Sequence, residues 1–134
     1  MQVLILGCNE QTHHIAPCLV DNGYRVTILA PYEKCMAQLS RQISLETVQR
    51  SGDLMVDLQN CHIDNVDVFL ALSENDNENV MAAQIASRIF NVPMVICHIN
   101  EVSKYNVYKE IGLNVVSSTV MVSETILQTL EGKS

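Results

Sequence analysis

The segment Leu4-Ile5-Leu6-Gly7-Cys8-Asn9-Glu10-Gln11-Thr12 carries an apolar run into a glycine and then into a helical pattern. A strand, a tight turn and a helix start, in that order, make an anion site. Unpaired N–H groups and the helix dipole face whatever lies on the turn. A dinucleotide fingerprint at this place reads G-x-G-x-x-G. Here Gly7 supplies the first glycine, while Asn9 stands for the second and Thr12 for the third. Asn tolerates positive φ better than most residues, so the turn is expected to form. Its side chain, however, takes space where a pyrophosphate would approach the backbone. Thr12 adds bulk where the helix presses on the strand. The fingerprint also wants an acid at the end of the second strand, to hold a ribose hydroxyl. That position is Ala30, and Glu33 lies beyond Pro31. The chemistry on offer is phosphate binding with NAD disfavoured.

Other candidate constellations are weaker. Tyr105 and Lys109 spell the Y-x-x-x-K spacing of short-chain reductases, but beside a damaged glycine fingerprint the pair reads as part of a solvated amphipathic helix. Cys8 is either a redox-sensitive thiol at a helix N-terminus or small loop filler. His13 and His14 lie between Cys8 and Cys18, yet adjacent helical residues point apart, so no metal site is expected. The five cysteines are scattered, without a C-x-x-C, and read as reduced thiols. Pro17 inside the first helix should kink or loosen it, since it removes one intrahelical hydrogen bond.

The elements that must position these residues alternate. Apolar runs at Val3–Leu6, Arg25–Ala30, Leu45–Arg50, Val66–Leu72, Pro93–Ile99 and Asn114–Ser117 predict strands. Near-continuous apolar runs suit a parallel sheet covered on both faces. Helices are expected at Glu10–Asn22, Tyr32–Arg41, Leu54–Asn60, Asp76–Phe90, Glu101–Ile111 and Ser118–Leu130. Such alternation predicts an α/β, Rossmann-like doubly wound sheet of order 3-2-1-4-5-6, as one domain over residues 1–134. The chain has 134 residues and a formal charge of −7, which excludes nucleic acid and anionic membranes as ready partners. There is no apolar run long enough for a membrane span. Met1–Leu6 reads as a first strand instead of a signal peptide. A cytoplasmic location is the expectation.

Further segments bring a family into view. Ser51-Gly52-Asp53 follows the third strand. Ile63–Leu72 fits "I-x-x-A-D-x-x-I-A-x", and Ser73–Asn79 fits "T-x-x-D-x-x-N". Val95–Asn100 fits "V-I-A-R-V-N", with His98 where an Arg is usual, and Leu113–Ser118 fits "I-D-x-V-I-S-P". In this order the segments resemble the TrkA-N domains, also called RCK N-terminal or KTN domains, which regulate potassium channels and transporters. The resemblance implies a nucleotide in the crevice above the first turn. Gly7, Asn9, Glu10, Gln11 and Thr12 would form the turn, with Ala30 at the ribose. Asp53 and Leu54 would flank the adenine, and Ser73 and Asn79 would line the floor beyond the fourth strand. Asp53 is equally suited to capping the helix that begins at Leu54, and Ser73, Asn75 and Asp76 to capping the next.

The resemblance implies a regulatory module in potassium uptake or efflux, and the lack of a catalytic constellation points away from an enzyme. It would bind an adenine nucleotide (AMP, ADP or ATP) in preference to NAD, or nothing. The alternative is a small NAD(P)-dependent oxidoreductase or other nucleotide-dependent enzyme, which would need an acid or base in the crevice and a lid. The expected partners are a second copy, as a homodimer or larger ring, and a membrane potassium transporter or channel subunit. That subunit would be the route to any peripheral membrane location, with no direct insertion. Val120, Met121, Ile126, Leu127 and Leu130 on the last helix motivate the assembly, together with helix Asp76–Phe90.

Overall fold

The computed structural model describes residues 1–30 and 45–132, so the helix expected at Tyr32–Arg41 lies outside the described residues. Strands β1 (Gln2–Leu6), β2 (Arg25–Ala30), β3 (Glu46–Gln49), β4 (Val68–Ala71), β5 (Met94–His98) and β6 (Val115–Val116) form one sheet. Its order is β3-β2-β1-β4-β5-β6, and every pairing is parallel. The expected order is therefore the observed one. The strand reversal lies between β1 and β4, where Val3 pairs with both Val26 and Val68, and Leu6 with both Leu29 and Ala71.

The helices are α1 (Glu10–Asp21), α2 (Leu54–Asn60), α3 (Asp76–Gln84), α4 (Val102–Glu110) and α5 (Ser118–Leu130). Helix α1 runs through Pro17 without a break. The long helix expected at Asp76–Phe90 is α-helical only to Gln84, then widens into a π-helical turn over Ile85–Ile89. Phe90 N–H reaches back five residues to the Ile85 carbonyl at 3.2 Å.

Alternation along the strands divides the core. Val3 and Ile5 point to one face with Val26, Ile28, Ala30 and Ala16 of α1. Leu4 and Leu6 point to the other, with Leu29, Phe69, Ala71 and Leu58 of α2. A period of two with apolar residues on both sides is what a doubly covered sheet requires. Ala82, Ala83 and Ala86, all fully buried, let α3 and the turn after it settle close on the second face.

Two side chains of α3 join neighbouring loops. The buried Asp76 carboxylate accepts the N–H groups of Asn100 at 2.8 Å and Glu101 at 3.1 Å. It thereby serves the start of α4, whose own cap residue Glu101 makes no side-chain cap. Asn79 is fully buried. Its oxygen accepts the Ser73 N–H at 2.9 Å, and its amide donates to the carbonyls of Ser73 at 2.7 Å and His98 at 3.0 Å. The D-x-x-N spacing, one helical turn, is thus a clamp that ties the ends of β4 and β5 together.

Gly7 has φ 113°, and a Cβ there would lie 2.8 Å from the Ser73 nitrogen and 2.9 Å from the Leu72 carbonyl. Gly112 has φ 95° with nothing within 4 Å of its Cβ direction. Both alanine replacements meet the strain of a left-handed backbone, about 1–3 kcal/mol. Only Gly7→Ala must also push two backbone segments apart. In urea unfolding, Gly112→Ala should lose about 1–2 kcal/mol, whereas Gly7→Ala should lose at least about 3 kcal/mol or fail to fold. Equal losses at the two positions would refute the close-approach explanation.

Candidate functional site

The carboxyl ends of β1 and β4 lie side by side at the point where strand order reverses, the place where open α/β sheets bind ligands. A recess of about 260 Å3 lies there, lined by Gly7, Cys8 and Asn9 on one side and by Ser73, Glu74, Asn75 and Glu78 on the other, with Arg50 at the rim. A second recess of about 350 Å3 adjoins it through Asn9, Ser73 and Glu74 and extends to Glu10, Gln11, His98 and Asn100. Together they reach the size of ordinary small-molecule sites, about 300–1,000 Å3. A larger hollow of about 490 Å3 opens at the amino ends of β1, β2 and β3, beside Gln2, Arg25, Glu46 and His62. It lies away from the glycine turn, at the opposite ends of the strands, and is not the crevice the topology marks.

The turn is built differently from the glycine-rich one. Positive φ falls on Gly7 alone; Asn9 is extended at φ −144°, so its tolerance of left-handed geometry is not used. Asn9 instead caps α1, its oxygen accepting the Thr12 N–H at 3.2 Å. Its amide donates across the crevice to the Leu72 carbonyl. Thr12 is fully buried, and its hydroxyl donates to the Gly7 carbonyl at 3.0 Å. The bulk expected to disturb helix packing is absorbed by that bond.

Of the residues expected at the site, Gly7, Asn9, Glu10, Gln11 and Ser73 line the joined recesses. Thr12, Ala30 and Asn79 are fully buried behind them. Leu54 packs against the second-face core. Asp53 is exposed and caps α2, accepting the Val56 N–H at 3.2 Å. Asn75 caps α3 through the Glu78 N–H at 3.0 Å. Ser73 exchanges hydrogen bonds of 3.3 Å with the Asn75 backbone.

Arg50, Glu74, Glu78, His98 and Asn100 were not expected there. Arg50 follows β3 and is 15% exposed; its Nη1 lies 2.6 Å from Glu78 Oε2. Its Nε lies 3.6 Å from Asp57 Oδ2, beyond hydrogen-bond reach, and has no hydrogen-bond partner. Asp57 is 1% exposed and accepts from the Ser51 hydroxyl at 2.6 Å and the Ser51 N–H at 3.1 Å. His98 Nε2 is 3.4 Å from the Ser118 hydroxyl. A single basic residue at the carboxyl end of a strand was the available signal for Arg50.

Cys8 is disulfide-bonded, which corrects the expectation of reduced thiols throughout; Cys18, Cys61 and Cys97 are free. Burial, and then the Asp57 carboxylate, pushes the Cys61 thiol up to about 11. Burial, and then Asp76, pushes Cys97 up to about 12. Neither is a thiolate near neutral pH. Lys109 Nζ sits 5.6 Å over the Tyr105 ring, and neither residue lines the crevice. Among the described residues there is no group of acids, His and Cys fit to hold a metal, and no helix is long and apolar enough to cross a membrane.

Comparison with known proteins agrees with the fold. The chain is 25% identical over 130 residues to the Trk system potassium uptake protein TrkA of Streptomyces coelicolor, covering 97% of this chain and 58% of that one. It is 25% identical over 118 residues to a TrkA homolog of Methanothermobacter thermautotrophicus, covering 88% and 54%. The chain thus spans little more than half the length of these relatives. Among solved structures, the TrkA-N domain of the Escherichia coli inner membrane protein ybaL superposes with a TM-score of 0.82 at 15% identity, covering 96% of both chains. The Shewanella denitrificans Kef CTD in AMP-bound form gives 0.77 at 14% identity, covering all of this chain and 84% of that one. The NAD(P)-binding domain of an exopolyphosphatase-related protein from Archaeoglobus fulgidus gives 0.75 at 16%, covering 97% of both. The TrkA-N domain description matches residues 3–119, nearly the whole chain, and the chain therefore belongs to the TrkA-N domain family.

Proposed function

We propose that this chain is a regulatory domain of a potassium transport system, not an enzyme, and that it takes an adenine mono- or diphosphate in the crevice above Gly7. The observation that carries the reading is the crevice itself, which sits at the strand reversal beside the start of α1. The AMP-bound Kef domain of the same fold supports it. So do relatives named as potassium uptake proteins. Gly7, Asn9, Glu10, Gln11 and Ser73 would line the ligand, with Thr12, Ala30 and Asn79 fixing the walls, and Asp53 and Leu54 flanking the adenine side.

The preference against NAD rests on two side chains. The end of β2 is Ala30, so among the described residues no carboxylate stands there for a ribose hydroxyl. The Asn9 amide spans to the Leu72 carbonyl, filling the gap that the second glycine leaves open for a pyrophosphate. Calorimetric titration is expected to show AMP and ADP binding at least tenfold, about 1.4 kcal/mol, more tightly than NADH. Micromolar NADH with silent AMP and ADP would reverse the assignment and favour a dinucleotide-dependent oxidoreductase.

We further propose that a second copy covers α5. No residue of that helix is buried, and Met121, Val122, Ile126, Leu127 and Leu130 are each more than half exposed. Met81 of α3 and Ile89 of the π turn are exposed to a similar degree. Contiguous apolar surface of several hundred Å2 is unusual on a monomer, roughly 300–600 Å2 being the largest patch normally left. Light scattering should give about twice the chain mass of 14.9 kDa, falling to the monomer in Ile126→Asp and Leu130→Asp. Both positions are exposed, so neither substitution disturbs the core. A mass of one chain that does not rise with concentration would exclude the dimer.

A further inference from the structure

We propose that Arg50 is the residue of the crevice that reads a ligand's phosphate, and that Glu78 competes with the phosphate for it. This inference rests on the crevice taking a nucleotide, and adds which side chain senses the charge and what has to move.

Among the described residues, Arg50 is the one cationic side chain lining either recess, whereas Glu10, Glu74 and Glu78 all do so. Among the described residues, an entering phosphate therefore meets a surplus of negative charge and a single cation. That cation is already engaged, by Glu78 at 2.6 Å. Carboxylate and phosphate present the same geometry to a planar guanidinium fork. Glu78 thus holds one nitrogen of the fork, Nη1, as an internal substitute for the ligand's anionic end.

The two carboxylates near Arg50 differ in what they can do. Asp57 is buried and held by the hydroxyl and N–H of Ser51, so it stays in place and attracts the guanidinium across 3.6 Å from behind. Glu78 sits in the first turn of α3, and its side chain is 27% exposed. Its backbone N–H is held by Asn75, so the side chain can swing to solvent without loosening the helix start. The buried Nε of Arg50, which has no hydrogen-bond partner, keeps donor capacity beside the recess. A fixed cation with one fixed and one displaceable anion is a switchable site; a plain structural strut needs no displaceable arm.

The test is a calorimetric titration at low ionic strength with two probes, AMP and uncharged adenosine. It uses the wild type, Glu78→Gln, Glu74→Gln and Arg50→Gln. Glu78→Gln should tighten AMP about tenfold, the size of one charge-assisted hydrogen bond. Glu74→Gln, which removes a crevice charge not paired with Arg50, should tighten it less than about threefold. Arg50→Gln should weaken AMP about tenfold, and adenosine should respond to none of the three. Binding of AMP that appears only in Glu78→Gln equally supports the proposal. Equal tightening by the two glutamate variants would reduce the effect to general charge and overturn it, as would adenosine shifting in step with AMP. Should Arg50→Gln fail to fold, because it strands the buried Asp57, the comparison of Glu78→Gln with Glu74→Gln still decides. If no protein binds either probe, the nucleotide reading of the crevice itself is overturned, an outcome distinct from the others.

Discussion

At Gly7 the chain leaves β1 with φ 113° and passes so close to Leu72 and Ser73 that a Cβ would fall 2.8 Å from a backbone nitrogen. Hydrogen bonds on either side depend on that approach. Leu72 N–H donates to the Leu6 carbonyl at 2.9 Å, and Gly7 N–H to the Leu29 carbonyl at 2.9 Å. Asn9 can reach the Leu72 carbonyl, and Thr12 the Gly7 carbonyl, because the turn is this tight. The first glycine of the fingerprint is thus demanded by the protein's own packing, with or without a ligand. The second and third serve ligand approach and helix packing. They are replaced here by side chains whose polar atoms close the turn from within.

The opposite wall is held by the same logic from a different element. Asn79 fixes both backbone groups of Ser73 and the carbonyl of His98, and Asp76 holds the start of α4. These two side chains are buried, and each satisfies backbone groups that have no partner within their own strand or helix. Such groups cost about 1–3 kcal/mol apiece when left unpaired. The crevice floor is consequently rigid. Its exposed carboxylates, Glu10 and Glu74, take no part in that framework.

Much of the fold was legible because it depends on local pattern. The strands announced themselves as apolar runs, since burial on both faces removes the polar alternation that would otherwise blur them. The strand order followed from the βα alternation and the glycine turn. What was not legible depends on partners far along the chain. Asn79 lay in a recognisable spacing, but its bond to His98 spans 19 residues, and no pattern tells a buried clamp from a ligand contact. Asp53 carried two readings of equal standing, and its bond to the Val56 N–H now supplies the capping one. Arg50 was overlooked because its meaning comes from Asp57 and Glu78, on two different helices. The π turn at Ile85–Ile89 has no signal in a helical apolar period. Helix α5 was placed correctly, yet its apolar residues do not reach the core at all.

Charge sets the remaining constraint. A chain of net charge −7 with three carboxylates around its crevice among the described residues repels an anion at long range, so attraction must come from groups at contact distance. The described residues offer the N–H groups at the start of α1 and the guanidinium of Arg50. The first is fixed by the cap at Asn9, and the second is anchored by a buried carboxylate. Asp57 cannot leave, because the Ser51 hydroxyl and N–H hold it where water does not reach. Glu78 can leave, because solvent reaches its side chain and rehydrates it. The crevice therefore has an immobile cation and a mobile anion. Where anion binding is opposed everywhere else, that difference in burial between two acids decides how the site answers a charged ligand.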